Sequence, residues 1–473
     1  MAISVLTNVL LARRLGAEQW GSLALLLMAS QVLLLVAVNW THAGFVRFGA
    51  VEFASSGAVT ETLSVRLGML WPTAGLGVLA MVLARQPLAA YLGIPPAAVW
   101  LIVIHFVAVC ALSLMGALFQ ARGQMSRYGT CLLLDKTAML FCVAVLPSAW
   151  TGHALPALAC YAASSLSVAI WGVWVVGGRA LRPAWPAPAP LRRMLIFSAP
   201  LLLTSWAGLF GTSWFDLVIL KWYVPISGIG VYSLATQLAG VAQQVTVIFA
   251  TLMLPEVSVM VVGGQDARIR TLMERLLPYW LLGTSVLFSL VILASRAALP
   301  FVFGPTYDGA AGVLALLMLA SCSVALHNAC TPLITAYGET WLLTGVAVAS
   351  IVVNVTMDLL LIPRFGVGGS AAATVLTYAT STVLVVLFVQ RRTGGRILRL
   401  MWLGTPVLTA YACFALLGGF WFYPVAVLST AVNVFALVLV FRLFRAEDAA
   451  FLKGLHLRLP FGLGTGSLAG KGL

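Results

Sequence analysis

Apolar residues in this chain come in long unbroken runs, most of them about the length needed to cross a bilayer. A membrane-spanning helix takes about 20 consecutive apolar residues. Polar or Pro/Gly clusters divide the sequence into such runs at 1–12, 20–41, 67–84, 98–119, 129–149, 155–177, 195–220, 230–254, 277–299, 312–336, 341–362, 369–390, 400–420 and 424–441. The runs are continuous, whereas the strands of an outer-membrane barrel alternate apolar and polar residues. The fold class is therefore an all-α polytopic membrane protein with about fourteen spans. Only 8% of residues are charged, against about 25% in an ordinary soluble domain, which excludes a soluble globular enzyme. The first run is short: 12 residues rise about 18 Å against a hydrocarbon core of about 30 Å. A truncated first span is the reading, with the natural start expected upstream of Met1.

A net charge of +14 suggests nucleic acid until the charges are placed. Loops after even-numbered spans and the tail hold twenty of the 27 Lys and Arg residues, among them Arg47, Arg66, Arg122, Arg268, Arg270, Arg396 and Arg399. Loops after odd-numbered spans hold six, and Lys136 lies inside a span. Positive residues mark cytoplasmic loops, so even-numbered loops and both termini are expected in the cytoplasm. The charge records orientation in a cell inner membrane, and no nucleic-acid partner is implied. The seven cysteines all fall in apolar runs, and their odd number and spacing suit no metal site.

The chain also repeats itself. W-G-S-L-A (20–24) precedes I-G-V-Y (229–232) by 209 residues, and Gly93 precedes Gly304 by 211. A-R-G-Q (121–124) precedes A-Y-G-E (336–339) by 215, L-P (146–147) precedes I-P (362–363) by 216, and C-Y-A-A-S-S (160–165) precedes T-Y-A-T-S-T (377–382) by 217. Five ordered matches with a slowly growing offset point to two six-span bundles of the same orientation, with the substrate path between them. The expected organisation is a first bundle at 1–177, a Pro/Arg-rich cytoplasmic linker at 178–193 and a second bundle at 194–390. Two additional spans at 391–441 and a cytoplasmic tail at 442–473 follow.

Local motifs add a family. L-A-R-R-L-G-A-E-Q-W-G-S-L-A-L (11–25) resembles the opening of polysaccharide, or O-antigen, flippases. F-S-A-P-L-L-L (197–203), F-D-L-V-I-L-K (215–221), G-I-G-V-Y-S-L-A (228–235) and L-P-E-V-S (254–258) are similar to the family's central segment. F-V-F-G-P-T-Y-D-G-A (301–310) and V-N-V-T-M-D-L-L-L-I-P-R-F-G-V-G-G-S-A-A-A-T (353–374) resemble its later signatures. The family lies in the multidrug/oligosaccharidyl-lipid/polysaccharide exporter superfamily. The resemblance implies a transporter that flips an undecaprenyl-pyrophosphate-linked oligosaccharide from the cytoplasmic to the periplasmic leaflet in surface or exopolysaccharide biosynthesis. Membrane lipids, a polysaccharide polymerase and chain-length proteins are the other partners it implies.

Ionisable residues inside spans are costly and read as functional candidates. Arg47, Lys136 and Lys221 are the cations for an anionic pyrophosphate. Asp135, Asp216 and Asp358 are the counter-charges, or the groups that titrate if transport is coupled to protons or sodium. Gln237, Gln243, Gln244 and Asn354 are the expected hydrogen-bonding partners of sugar hydroxyls. His105 and His327 with Asn328 are polar companions. Bland readings stand beside these. Asp216 and Lys221 read equally as interfacial, with Lys221 snorkelling outward. Asp135 and Lys136 diverge by about 100° on a helix, need not pair with each other, and read equally as members of interhelical salt bridges. The glutamines read equally as interhelical glue.

No cofactor or catalytic site is implied. The nearest approach to a phosphate loop, G-T-G-S-L-A-G-K-G (464–472), is one residue short and ends in Gly472 rather than Ser or Thr. Arg268, Arg270 and Arg275 lie opposite Ile269, Leu272, Met273 and Leu276, a pattern that suits a helix resting on lipid headgroups; 60–70 is a weaker counterpart. Two alternatives to a flippase remain open. One is a cation-coupled drug exporter, which needs a dominantly acidic cavity. The other is a membrane-embedded polymerase or glycosyltransferase, which needs large extramembrane loops.

Overall fold

The computed structural model describes residues 2–147, 150, 152–177, 187–210, 213–394, 396–419, 422–441 and 443. Among them there are helices and no strands. Eleven helical stretches are long and apolar enough to cross a membrane. Two of these, Ile3–Ser56 and Trp341–Thr393, run for 54 and 53 residues, or about 80 Å if straight, more than twice a bilayer core.

Each breaks at a glycine. In α1 (Ala2–Ala37) the break is Gly16, with φ 67 and ψ 173. Asn8 bonds Gln237, and Ala24 and Leu27 line a small cavity with the same Gln237. Residues 8 and 24–27 thus lie at one depth, so the chain reverses at Gly16. Further on, α14 (Thr340–Thr393) breaks at Gly366, with φ 56 and ψ −132. A Cβ on Gly369 would collide with the carbonyl of Leu361, a contact that a straight helix never makes between residues eight apart. Both breaks need positive φ, which glycine adopts without steric penalty.

The remaining helices are α2 (His42–Ser56), α3 (Thr60–Leu83), α4 (Arg85–Leu92), α5 (Val99–Ala121), α6 (Met125–Val145) and α7 (Ala154–Val176). Then come α8 (Pro188–Leu209), α9 (Ser213–Tyr223), α10 (Ile226–Val262), the short α11 (Asp266–Thr271), α12 (Leu277–Phe303) and α13 (Ala310–Ala336). After α14 come α15 (Thr405–Leu416) and α16 (Phe422–Val440). With α1 and α14 passing twice, the eleven candidate stretches supply thirteen of the fourteen expected spans, and α8 and α9 lie where the sequence places the remaining one, at 195–220.

The loops sort onto two faces. On one, Arg122 stacks over Phe53 at 5.9 Å, while Tyr337 meets Arg392 at 5.0 Å and also faces Asp266. These residues all follow or end even-numbered spans. On the other face, the Tyr307 hydroxyl donates to the Ala12 carbonyl at 3.1 Å. Arg14 donates to the carbonyls of Val143 and Leu146, and Gln19 accepts from the Ala154 amide at 3.1 Å. A missed or surplus span would have mixed these partners.

Two details correct the reading of the sequence. Arg66, expected in an even loop, lies inside α3 and is 0% exposed, its guanidinium 4.8 Å from the Phe45 ring. The helix begins at Thr60, seven residues before the expected span, because Thr62, Leu63, Ser64 and Val65 are buried as well. The amphipathic segment at 268–277 does not rest its apolar face on lipid: Ile269, Leu272 and Met273 are buried in the protein core. The linker residues 178–186 and the tail from 444 onward, including the phosphate-loop near-miss, lie outside the described residues.

Candidate functional site

An apolar bundle has little reason to enclose polar groups unless something polar uses them. One cavity, of about 470 Å³, is lined by many polar residues and lies among α9, α10, α13 and α14. Asp216 enters it from the first turn of α9, and the Tyr232 hydroxyl of α10 donates to its Oδ2 at 2.6 Å. Ser370 Oγ in turn donates to the Tyr232 hydroxyl at 3.1 Å. Behind this chain lies Asp358, 0% exposed, its carboxyl facing that of Asp216; neither of its oxygens, nor Asp216 Oδ1, has a hydrogen-bond partner among the described residues.

The two carboxyls are buried 142 residues apart in sequence, and no ion pair involves either among the described residues. Two buried carboxyls without a basic partner are costly to hold in an apolar bundle. Asn354, one turn before Asp358 on the same face of α14, lines the cavity with Oδ1 unsatisfied. His327 also lines it, with Nδ1 buried and unbonded. Gln243 reaches the cavity and donates to Ser321 Oγ at 2.8 Å.

Of the ten candidate residues, then, Asp216, Asp358, Asn354 and Gln243 are brought together. Gln237 is engaged elsewhere: it accepts from Asn8 Nδ2 at 2.8 Å and ties α10 to α1. Gln244 is exposed on α10.

None of the three cations lines this cavity. Arg47, exposed on α2, stacks over Phe197 at 4.9 Å and Phe48 at 5.7 Å, where α2 meets α8. Lys221 is half-buried in the last turn of α9. Asp135 and Lys136 do pair, at 2.8 Å. Adjacent helix positions diverge, but the four-carbon stem of lysine is long enough to bend its ammonium back. The Asp135 side chain is 9% exposed and that of Lys136 47%. Asp135 also accepts from Ser165 at 3.0 Å and Ser164 at 3.4 Å on α7. Nearby, His105 bonds Ser30 at 2.7 Å and its ring lies edge-on to Tyr161. This second polar cluster joins α1, α5, α6 and α7.

Reading the sequence missed Tyr232, which bonds Asp216, Ser370, which bonds Tyr232, and Tyr378, which lines the cavity. Hydroxyls in an apolar run carry no charge to draw notice. One signal was present: Tyr161 and Tyr378, like Ser164 and Ser381, are 217 apart, the offset of the internal repeat. The first member of each pair belongs to the α6–α7 cluster, and the second lines the large cavity.

Fold and site together define a class: a polytopic, all-α membrane protein that keeps a polar, acidic cavity inside the bundle, as transporters do. Within that class the particular family is shown by sequence. Residues 1–260 match the family described as "Polysaccharide biosynthesis protein", more than half of the chain, and the protein belongs to this family. A probable low-salt glycan biosynthesis flippase, Agl15 of Haloferax volcanii, is 25% identical over 215 residues, 45% of this chain and 44% of that protein. The match thus spans less than half of that relative's length. The fold is similar to that of the lipid II flippase MurJ in an inward closed conformation, with TM-score 0.72, 11% identity, and coverage of 96% of this chain and 97% of that one. It is also similar to an inward-facing MATE family multidrug resistance transporter of the MOP superfamily, with TM-score 0.64, 13% identity, and coverage of 83% and 94%.

Proposed function

We propose that this protein is a flippase carrying an undecaprenyl-pyrophosphate-linked oligosaccharide repeat unit from the cytoplasmic to the periplasmic leaflet of a bacterial inner membrane. The observation that carries this reading is the family match over residues 1–260. Likeness of fold over almost the whole chain to a lipid II flippase supports it. In this reading the arginine-rich face is cytoplasmic, with both termini on that side. Residues 1–177 and 194–390 form two bundles that rock about the linker at 178–193. The shared 217-residue offset of the two polar clusters supports the pairing of the bundles. The spans at 391–441 are an addition.

Alternating access needs a closure on one face. Near the arginine-poor face a Cβ on Gly21 would collide with the Ile226 carbonyl, and one on Gly230 with the Ala17 carbonyl. These backbones touch because neither glycine carries a side chain, and we assign this seam as the outer closure. Arg47, Lys136 and Lys221 serve the anionic pyrophosphate at successive depths, and Asp135 neutralises Lys136 when no substrate is bound. Gln243, Gln244 and Asn354 serve sugar hydroxyls; Gln237 is spent on Asn8 and drops out. Asp216 and Asp358 take up a proton or a sodium ion to couple transport. With the cytoplasm negative, an outgoing anion gains about 2.3 kcal/mol per charge per 100 mV, so no ATP motor is required. A polysaccharide polymerase and chain-length proteins would act on the product.

The test is product analysis in a deletion strain. Complete lipid-linked repeat units should accumulate on the cytoplasmic face, and accumulation of unlinked units outside would instead indicate a polymerase. The acidic cavity favours one second reading, a cation-coupled drug exporter. Resistance conferred on an exporter-deficient host, without any glycan phenotype, would establish that reading and overturn ours.

A further inference from the structure

A second cavity, of about 430 Å³, lies on the arginine-rich face, far in composition from the acidic one. Arg270 borders it on one side, from α11, and Arg396 and Arg399 on the other, where the 3-10 run Ile397–Gly404 leads into α15. Phe441, just past the end of α16, closes it.

The charge in this cavity is unbalanced. Glu274 is its one acid, and that carboxylate is already held by Arg270 Nε at 2.9 Å. Arg396 and Arg399 make no ion pair among the described residues. Both are exposed at the rim, while Ile397 and Leu400 beside them are buried in the core. Met273, buried below Arg270, completes an apolar floor beneath a basic rim. Such layering matches a molecule that is anionic at one end and hydrocarbon at the other.

Position favours the same ligand. The rim follows the end of α14 at Thr393 and precedes α12 at Leu277, which puts it at headgroup depth. The adjoining α16 exposes Val427, Leu428, Val432, Phe435 and Leu439, so lipid has access along its outer side. Basic pockets between spans at this depth suit phosphate-bearing headgroups. Guanidinium groups bind phosphate oxygens in a bidentate manner that a lone ammonium cannot reproduce.

We propose that this cavity binds the phosphodiester of an anionic bilayer phospholipid, held by Arg396 and Arg399 with Arg270 at the far rim. The lipid docks the additional spans α15 and α16 against the segment that joins α10 to α12. The site is separate from the flippase path and stands whether or not the transported molecule is the one proposed above.

The test is native mass spectrometry of the full chain in detergent, titrated with phosphatidylglycerol or phosphatidylcholine. Phosphatidylglycerol should bind at least tenfold more tightly than phosphatidylcholine, and R396Q/R399Q should remove that preference. The control R268Q/R364Q makes the same charge change outside the cavity and should keep it. The single variants R396Q and R399Q, each expected to weaken binding about threefold, provide the readout if the double variant does not elute as a monodisperse species. Equal binding of both lipids, or equal loss in the control, would overturn the site. Displacement of phosphatidylglycerol by equimolar farnesyl pyrophosphate would reassign the cavity to diphosphate lipids and also overturn the proposal.

Discussion

Asp216 and Asp358 are buried near each other with no ion pair among the described residues, while Asp135 has Lys136 and two serines. Carboxylates that look alike in sequence thus sit in different environments. For the facing pair, D216N and D358N should each lower gradient-driven transport in proteoliposomes at least tenfold, with unchanged elution and melting. Transport that still responded normally to imposed proton and sodium gradients in either variant would remove that carboxyl from coupling. For the salt bridge the prediction separates stability from function. K136A leaves a poorly exposed carboxylate without its ion partner, a change that costs about 3–5 kcal/mol when a pair is fully buried and less here because the Lys136 side chain is 47% exposed. D135N/K136A should regain the melting temperature yet still fail to export glycan. Restored export in the double variant would reduce Lys136 to a structural partner.

Two of the joints between elements can be tested directly. The α1–α10 seam depends on Gly21 and Gly230, whose missing side chains let the backbones touch. G230V should part the seam, speed amide exchange across 17–27 and abolish transport. G283A, on the exposed side of α12 and with nothing within 4 Å of its added Cβ, should be silent; equal damage from both would refute a specific closure. The second joint is Arg296 of α12, which donates to the Leu417 carbonyl at 2.7 Å and stacks 4.9 Å from Phe422. An exposed cation–π contact is worth about 0.5–1 kcal/mol. R296A should therefore loosen the α15–α16 turn in hydrogen exchange with little change in global melting, and protection unchanged at 414–419 would show that other contacts hold it.

At the scale of the whole molecule, charge and hydropathy set topology. With nineteen basic residues left in the even-numbered loops and tail once Arg66 is placed in α3, and six in the odd-numbered loops, alkaline phosphatase fused after Gly394 should be inactive and after Tyr307 active; the reverse pattern would invert the orientation. Hydrophobic run length exposed the fourteen passes, because a helix of that length satisfies its own backbone polar groups in lipid. It did so even where the pass was hidden in a longer helix: Gly16 and Gly366 sit between the runs that the sequence separates. Boundaries were less legible. Arg66 was assigned to a loop because a charge normally ends a span, yet α3 buries it against Phe45. The site was legible in part. Charge drew attention to Asp216 and Asp358, and helical spacing put Asn354 beside the latter. Nothing local says that residues 216 and 358 touch, or that Tyr232 and Ser370 complete the contact.

What the sequence determined by itself was the class, the number of passes and the family. Each follows from local composition or linear order, which a bilayer reads one segment at a time. Only the tertiary structure decided which polar groups meet: that Asp216 faces Asp358, that Gln237 is held by Asn8, and that Arg270, Arg396 and Arg399 border one cavity. Those pairings depend on how helices rotate and pack, and in a bundle of uniformly apolar surfaces many rotations look alike until glycine contacts and hydrogen bonds select one.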